Sequence, residues 1–202
     1  MQKSTFIRSW VSRIRHATVG LSSSEQRRHQ SSGLWDLSEQ PAEMGHYWMI
    51  AGYCGLKFQQ PSVLDVGCGR GLLEEKLRAV SYSSYTGMDI SMPALKKARQ
   101  RIQPSCQLIC ADLLNPPIRK HFNVVIFNES LIPGMPIIDI LRQYFGLLTA
   151  DGRIIISLFN GRNRVATRPI WKEIGRSFQV EDATELENLP SQKSWTIALL
   201  AP

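Results

Sequence analysis

The chain has 202 residues, of which 43% are hydrophobic and 20% charged, and its formal net charge at pH 7 is +7. This length suffices for one domain with a buried core and is short for two, and no apolar run approaches the roughly 20 residues that span a membrane. Four cysteines, at positions 54, 68, 106 and 110, lack Cys-x-x-Cys spacing and histidine partners, which predicts reduced, buried thiols and no metal site.

Residues 1–32 differ in charge from the rest of the chain. They contain six basic residues and one acid, whereas the remaining residues contain 18 basic and 16 acidic side chains. Residues 1–20 have no acid and place their apolar residues on one face of a helix, which predicts a basic amphipathic helix followed by a serine-rich linker. Three uses of this helix stay open, namely packing on the domain, lying on a membrane surface and organellar import. We therefore expect an N-terminal arm over residues 1–32 and one domain over residues 33–202, whose nearly neutral charge argues against nucleic acid as a partner.

An aromatic-rich segment, residues 33–53, precedes the first predicted strand. Its tryptophans and tyrosines are costly to leave in water, so we expect the segment to pack on the domain. His46 is the residue in this segment whose side chain titrates near neutral pH, which makes it a candidate base. A surface histidine without a chemical role is the alternative.

Residues 62–71, Ser-Val-Leu-Asp-Val-Gly-Cys-Gly-Arg-Gly, predict a buried strand, a tight turn and the start of a helix. Gly67, Gly69 and Gly71 permit positive φ angles or the close approach of a ligand to the backbone. Dinucleotide-binding turns have the spacing Gly-x-Gly-x-x-Gly, but here the third glycine comes one residue earlier and Asp65 precedes the first. A carboxylate at that position would repel a pyrophosphate and suits a ligand with cationic groups.

The next two predicted strands also end in acids. The strand over residues 85–91 contains Asp89, where a doubly wound fold places a carboxylate that holds ribose hydroxyls. Capping the following helix is the alternative for Asp89. The strand over residues 107–111 is followed by Asp112, for which capping its own turn is the alternative.

The most apolar predicted strand, residues 122–127, runs into Asn128 and Glu129. Ligands of open parallel sheets bind at the carboxyl ends of the strands, near the point where the strand order reverses. We therefore expect Asn128 and Glu129 to lie at the same site as the glycine turn, with a purely structural role for Glu129 as the alternative.

The rest of the chain continues the alternation of helices and strands. The predicted elements are a helix over residues 136–148, a turn at 149–152, a strand over 153–159, a helix over 162–178, a short strand at 178–180, a polar stretch and a last strand over 194–200. Composition and periodicity alone predict an α/β doubly wound sheet.

Over residues 33–202, these ordered motifs resemble those of the class I S-adenosylmethionine-dependent methyltransferases. The resemblance implies a Rossmann-like sheet of seven strands, mostly parallel with the last strand antiparallel, and helices on both faces. It also implies S-adenosylmethionine as the cofactor, with Asp112 accepting a hydrogen bond from the adenine amino group and Leu113 packing on the ring. The residues expected to bind the cofactor are Asp65, Gly67, Cys68, Gly69, Gly71, Asp89, Ile90, Asp112, Leu113 and Asn128.

The resemblance also suggests where the methyl acceptor binds. The helical segment before the first strand folds over the cofactor in such chains, so Glu129 and His46 are the candidate catalytic groups. A narrower similarity, to bacterial nodulation-type methyltransferases of sugars or secondary metabolites, rests on four motifs. These are Gly-Leu-Trp-Asp-Leu at 33–37, Tyr47 with Ile-Ala-Gly-Tyr at 50–53, Phe-Asn-Glu at 127–129 and Ser-Trp-Thr-Ile at 194–197. We therefore expect methyl transfer to an oxygen or nitrogen of a small molecule.

Two other functions stay open at this point. One is methylation of RNA or protein with the help of the basic arm, and the other is a non-catalytic, cofactor-binding partner protein. The protein is expected to be a cytoplasmic monomer or homodimer. Organellar import and peripheral membrane contact through residues 1–20 are the alternatives.

Overall fold

A computed structural model describes residues 41–160 and 167–202, with side chains from residue 44 onwards. Helices and strands alternate along most of this part of the chain, as the sequence predicts. The elements are α1 (Pro41–Lys57), β1 (Ser62–Val66), α2 (Leu72–Leu77), β2 (Ser84–Asp89), α3 (Met92–Arg101), β3 (Gln107–Cys110), β4 (Phe122–Asn128), α4 (Ile137–Phe145), β5 (Leu148–Phe159), α5 (Arg168–Ser177), β6 (Gln179–Asn188) and β7 (Lys193–Ala201).

The seven strands within the described residues form one sheet in the order β3-β2-β1-β4-β5-β7-β6. Neighbouring strands from β3 to β5 pair in parallel, whereas β7 is antiparallel to both β5 and β6. The chain winds from β1 out to β3 and then returns to place β4 on the other side of β1. The strand order therefore reverses between β1 and β4. The predicted seven-stranded, mostly parallel sheet with an antiparallel last strand is confirmed.

The central strands are buried on both faces because helices cover both sides of the sheet. In β4, Val125 and Phe127 belong to the core that includes residues of α4 and α5. The alternate residues Val124 and Ile126 belong to the core that includes residues of α1 and α2. Side chains of a strand point alternately to opposite faces, so a continuous apolar run is what a doubly covered strand requires. Burial of each such side chain contributes about 1.5–3 kcal/mol.

The turn predicted at residues 149–152 lies inside β5, and that boundary of the prediction was wrong. Phe122 pairs with Leu148, but the next ladder pair is Val124 with Arg153. β5 therefore carries extra residues opposite one step of β4 and forms a bulge. The sequence Thr-Ala-Asp-Gly at 149–152 suits a bulge as well as a turn, because both interrupt the alternation of buried and exposed side chains along a strand.

The polar stretch predicted after residue 180 is also a strand, which corrects the sequence interpretation. β6 lies at the edge of the sheet and pairs with β7 in an antiparallel hairpin. An antiparallel edge strand can face water along much of its length, and polar side chains at an edge are common. This stretch can therefore pair as a strand although it contains several acids and no continuous apolar run.

All four cysteines are free thiols. Cys54, Cys68 and Cys106 are buried as predicted, but Cys110 is exposed, so that part of the prediction was wrong. Cys110 ends β3, the edge strand at the opposite side of the sheet from β6. Burial raises the pKa of the Cys68 thiol well above its usual range, which agrees with an unreactive side chain that fills space in the glycine turn.

Some predictions fall on residues that the structure does not describe. The arm over residues 1–32 lies outside the described residues, as does the beginning of the helix predicted over residues 162–178. Among the described helices, none has the length and apolar character needed to cross a membrane. Within the same part of the chain, no three His, Cys, Asp or Glu residues are grouped so that they could hold a metal ion.

Candidate active site

The glycine turn between β1 and α2 is built from left-handed backbone. The φ angle is 78° at Gly67, 52° at Gly69 and 77° at Gly71, a region that residues with side chains rarely adopt. The N–H groups of Gly67 and Cys68 both donate to the carbonyl of Met88 at the end of β2, at 2.7 and 3.0 Å. These bonds hold the turn at the carboxyl ends of β1 and β2, where open parallel sheets bind ligands.

The turn is tightly packed at two of its glycines and open at the third. A Cβ atom added at Gly67 would lie 2.4 Å from the Cβ of Ser130, and one added at Gly71 would lie 2.5 Å from Ile102. A Cβ added at Gly69 would meet no atom of the described residues within 4 Å. The backbone at Gly69 is therefore the part of the turn that a ligand can approach closely.

Asp89 lies at the end of β2 and contacts the glycine turn. Its Oδ2 accepts a hydrogen bond from the N–H of Gly69 at 2.8 Å, and its Oδ1 accepts one from the N–H of Ser91 at 2.7 Å. Burial raises the pKa of Asp89, although backbone N–H groups, including that of the half-buried Ile90, act in the opposite direction. Ser91 is the residue that caps α3, through a hydrogen bond from the N–H of Ala94. Helix capping therefore does not explain Asp89, and its contact with a ribose stays a prediction.

Asp65 is a buried acid within β1. The hydroxyl of Tyr85 donates to its Oδ2 at 2.7 Å, whereas its Oδ1 has no hydrogen-bond partner among the described residues. Burial raises the pKa of Asp65 to about 7; the charge of Asp89 adds to this effect and the Tyr85 hydrogen bond opposes it. The two acids thus lie close enough to interact electrostatically. A buried carboxylate with one unsatisfied oxygen is costly unless a ligand provides the missing donor.

The end of β4 contributes a second group of polar side chains. Asn128 pairs with Ser157 in β5, and Ser130 lies against Gly67. The Oδ1 of Asn128 and the hydroxyl oxygens of Ser130 and Ser157 are buried, and none of them has a hydrogen-bond partner within the described part of the chain. Buried polar atoms are normally hydrogen-bonded, so these three next to the glycine turn indicate a site for a polar ligand.

Glu129 and His46, the two candidate catalytic residues, lie side by side. Nε2 of His46 is 3.2 Å from Oε1 of Glu129. Within the described residues, however, neither ring nitrogen of His46 makes a hydrogen bond of acceptable geometry. The imidazole stacks on Trp195 with ring centroids 4.9 Å apart. Burial lowers the pKa of His46 to about 3, so the ring is neutral near pH 7 and is a poor acceptor of protons. This environment favours a packing role for His46 over a role as base.

Asp112 follows β3 and caps its own turn. Its Oδ1 accepts a hydrogen bond from the N–H of Leu114 at 2.9 Å, and its carbonyl accepts one from the N–H of Asn115 at 3.1 Å. The carbonyl of the next residue, Leu113, accepts a hydrogen bond from the hydroxyl of Tyr144 at 3.0 Å. The capping role that the sequence left as an alternative is therefore present. Contacts of Asp112 and Leu113 with an adenine ring stay predictions.

The fold brings together here several residues that are not predicted from the sequence to belong to the site. They are Tyr85, Trp195, Ser130 and Ser157. A usable signal existed for one of them, because Ser157 is a polar residue within the apolar run at the end of β5. Trp195 gave no such signal, because its contact with Glu129 depends on how β7 is placed beside β5.

The fold and the site together resemble one class of enzymes. A seven-stranded sheet with an antiparallel β7, and a glycine turn flanked by acids of β1 and β2, are the features of a class I methyltransferase. The methyltransferase domain family matches residues 63–152, from β1 into β5. Over these residues the chain is similar to the S-adenosylmethionine-dependent methyltransferases, and its fold is shared with a methyltransferase crystallised with S-adenosyl-L-homocysteine.

Curated relatives of the chain differ in what they act on. A malonyl-[acyl-carrier protein] O-methyltransferase from Bacillus anthracis is 26% identical over 135 residues, which cover 65% of this chain and 46% of the relative. The human mitochondrial arginine-hydroxylase NDUFAF5 is 28% identical over 101 residues, which cover 50% of this chain and 29% of the relative. The chain thus spans about half the length of the first relative and less of the second. The substrate of neither relative can therefore be assigned to this chain.

A solved structure matches the fold over most of both chains. The N-methyltransferase NodS from Bradyrhizobium japonicum WM9, in complex with S-adenosyl-L-homocysteine, superimposes with a TM-score of 0.71. The match covers 88% of this chain and 97% of that chain, at 14% sequence identity. At this identity the similarity concerns the fold, and the acceptor must be inferred from the residues of this chain.

Proposed function

We propose that the protein transfers a methyl group from S-adenosylmethionine to an oxygen or nitrogen of a small-molecule acceptor. The observation that carries this proposal is a pair of interacting buried acids at the glycine turn: Asp65 precedes the turn in β1, and Asp89 accepts a hydrogen bond from the N–H of Gly69. Asn128 ends the adjacent strand β4 and Glu129 follows it, at the reversal point of the sheet. This arrangement offers a cationic ligand two carboxylates and an open backbone at Gly69. Glu129 lies next to them and can contact a methyl acceptor.

The unsatisfied polar atoms of the site fit S-adenosylmethionine. When bound, this cofactor supplies a methyl group on a positively charged sulfur. We assign Oδ1 of Asp65 to its ammonium group and Asp89 to its ribose hydroxyls, with the backbone at Gly69 against the ligand and Asn128 beside the reacting centre. The protein's main contribution is then to hold the two reactants in line, because positioning alone supplies a large part of the rate in such displacements.

On the acceptor side, Glu129 is the favoured catalytic group. Its side chain keeps 31% of its surface exposed, whereas that of His46 keeps 2% and is neutral near pH 7. A carboxylate can orient an acceptor and receive its proton, and an imidazole with a pKa of about 3 does this poorly. We therefore assign acceptor contact to Glu129 and support of the site wall to His46.

A small acceptor is favoured over RNA by the charge distribution. Residues 33–202 carry 18 basic and 16 acidic side chains, and an enzyme that acts on nucleic acid is expected to have a basic face on its catalytic body. Most of the excess of basic residues, five of the seven net positive charges, lies in residues 1–32.

Isothermal titration of the full chain with S-adenosylmethionine tests the proposed function directly. We expect one binding event per chain, with a Kd in the micromolar range, about −8 kcal/mol. S-adenosylhomocysteine should also bind, and NAD should not, because the turn lacks the dinucleotide spacing and Asp65 repels a pyrophosphate. A folded protein that does not bind S-adenosylmethionine would refute the proposal.

Cofactor affinity should rise with pH because of Asp65. Burial raises the pKa of this group from 3.8 to about 7, so the carboxyl is largely protonated at pH 6 and becomes ionised as the pH passes 7. A cationic ammonium binds the ionised form, so affinity should increase up to about tenfold per pH unit below the pKa and level off above it. Titrations between pH 5.5 and 8.5 measure this.

The same pKa shift has a stability consequence of opposite sign in the cofactor-free protein. Since the folded-state pKa lies above the ordinary value, the favourable contribution of protonated Asp65 is complete below pH 4 and is lost as the pH rises through 7. Asp65→Asn serves as the control for both effects, because it cannot ionise. An affinity that stays flat over this pH range in the unmodified protein would contradict the prediction.

A further inference from the structure

Tyr85 is a buried tyrosine whose hydroxyl contacts an acid of the candidate cofactor site. It lies in β2 with 2% of its surface exposed, and its ring packs in the core that includes residues of α1 and α2. The ring of Tyr82 lies beside it, with centroids 6.1 Å apart. The hydroxyl of Tyr85 donates to Oδ2 of Asp65 at 2.7 Å. Because the ring cannot change rotamer without disturbing a closely packed core, this donor is held in a fixed position.

The register of β1 and β2 explains why Tyr85 is the residue that contacts Asp65. Asp65 lies directly opposite Gly87, which has no side chain, and Tyr85 lies opposite Val63, two residues earlier on the same face. A Cβ added at Gly87 would lie 2.8 Å from Sγ of Cys68 in the glycine turn. The space beside Gly87 is thus filled by the turn, and Tyr85 reaches Asp65 from the diagonal position of the strand pair.

The tyrosine fixes the direction of this hydrogen bond. Burial, together with the nearby charge of Asp65, raises the pKa of the Tyr85 hydroxyl well above its usual range, so the hydroxyl keeps its proton and donates. A neutral carboxyl has an accepting oxygen as well as an ionised one. Tyr85 therefore holds Oδ2 of Asp65 whether or not the acid is charged.

The other oxygen of Asp65 is left for a ligand. Oδ1 is buried and has no hydrogen-bond partner in the described part of the chain. The charge of Asp65 raises the pKa of the Cys68 thiol in the turn, and Asp65 also interacts with Asp89, which accepts the N–H of Gly69. The carboxyl therefore lies close to the turn and to the second acid. An acid that served only to pair with Tyr85 in the core would leave Oδ1 unsatisfied at a cost in stability.

From these contacts we infer that Tyr85 is a positioning residue, which holds Oδ2 of Asp65 so that Oδ1 accepts the amino group of S-adenosylmethionine. The inference rests on the proposed function and adds to it the residue that orients the amino-acid part of the cofactor. Tyr85 acts through Asp65 and needs no contact of its own with the cofactor. The alternative, packing of Tyr85 in the core alone, predicts no difference between ligands with and without an amino group.

Two ligands that differ by one amino group test the inference. They are S-adenosylhomocysteine and its deamino analogue, which keeps the adenosine, the sulfur and the carboxylate. The Kd of each is measured by titration of the full chain at about pH 8, above the pKa of about 7 of Asp65. We expect the unmodified protein to bind S-adenosylhomocysteine about 30-fold or more tightly than the analogue, as one hydrogen bond between charged groups supplies.

Tyr85→Phe separates positioning from packing, because it keeps the ring and removes the hydroxyl. It should weaken binding of S-adenosylhomocysteine about tenfold, since the Asp65 carboxyl can then turn away, and change that of the deamino analogue less than twofold. Tyr53→Phe is the matched control. Tyr53 is 7% exposed and its hydroxyl shares a hydrogen bond of 2.9 Å with Thr184 of the edge strand β6. This control should change neither affinity more than twofold, and thermal unfolding checks that both variants are folded.

The effect of Tyr85→Phe should disappear when Asp65 is changed as well. In Asp65→Asn the Tyr85 hydroxyl holds the amide oxygen, which leaves the amide N–H groups toward the amino group of the ligand. Removing the hydroxyl frees the amide to turn, so the double variant should bind S-adenosylhomocysteine no more weakly than Asp65→Asn does. A further loss of affinity would show that Tyr85 does not act through Asp65 and would overturn the inference. This comparison holds even if Tyr85→Phe alone does not fold, because the double variant buries no unpaired carboxylate.

The outcomes distinguish this inference from the proposed function. If the folded, unmodified protein does not bind S-adenosylmethionine, the proposed function fails. If it binds S-adenosylmethionine but does not distinguish S-adenosylhomocysteine from the deamino analogue, the inference alone is overturned. The same conclusion follows if Tyr85→Phe weakens both ligands equally or weakens neither of them.

Discussion

Gly67→Ala is expected to lose S-adenosylmethionine binding and to destabilise the fold by about 2–5 kcal/mol, a large share of the 5–15 kcal/mol typical of a domain. The added Cβ would lie 2.4 Å from the Cβ of Ser130, and the φ angle of 78° is unfavourable for alanine. The turn would have to shift away from β4, which breaks the hydrogen bond from Gly67 to Met88. Chemical denaturation and calorimetric titration measure the two effects.

Gly69→Ala is the matched control for this prediction. Its φ angle of 52° imposes a similar backbone strain, but its Cβ would meet no atom of the described residues within 4 Å. We expect a stability loss of only about 1–2 kcal/mol, together with loss of cofactor affinity because the methyl group occupies the ligand's space. Adding Ser130→Gly to Gly67→Ala should restore part of the stability, since it removes the contacted atom. Equal stability of the two alanine variants would show that the contact with Ser130 is unimportant.

Asp89→Asn is expected to weaken S-adenosylmethionine binding about 100-fold, or about 3 kcal/mol. Both carboxylate oxygens accept backbone N–H groups, from Gly69 and Ser91. The amide nitrogen of asparagine cannot accept a hydrogen bond, so one of these N–H groups is left facing another donor. The glycine turn would lose its link to the end of β2, and the ribose would lose its charged partner.

Asp139→Asn removes the same charge without these contacts and serves as the control. The side chain of Asp139 is 77% exposed and pairs only loosely, at 3.4 Å, with the exposed Arg142. Exposed pairs of this kind contribute about 0–1 kcal/mol, so cofactor affinity should be unchanged. Cofactor affinity of Asp89→Asn within threefold of the unmodified protein would contradict the assignment of Asp89.

The fold was predictable from the sequence where burial leaves a strong pattern. In β1 and β4 neighbouring apolar residues point to both faces, namely Val63 with Leu64 and the run from Val124 to Phe127, as required of strands covered on both faces. The glycines after Val66 mark the turn. β6 was missed because an edge strand has no such run. Residues 149–152 predict a turn, whereas they form a bulge in β5, because the sequence of a short interruption of strand pairing is similar to that of a chain reversal.

The candidate site was predictable to the extent that its residues follow strand ends. Asp65, Asp89, Asn128 and the glycines could be placed together because parallel strands end at one edge. Contacts between side chains of different strands could not be predicted from the sequence. The hydrogen bond between Trp195 and Glu129, for example, depends on the order and register of the strands. The low pKa of His46 likewise follows from packing that local sequence does not encode.

The edge formed by β6 has a consequence for how copies of the protein can associate. Four acids, Glu181, Asp182, Glu185 and Glu187, are spaced along this strand. Glu181 is paired with Lys57 and Arg153. If two molecules joined edge to edge through β6, the remaining acids of both strands would still lie along a single seam, where like charges repel at low ionic strength. Continuation of the sheet from one subunit into the next is therefore disfavoured on this side.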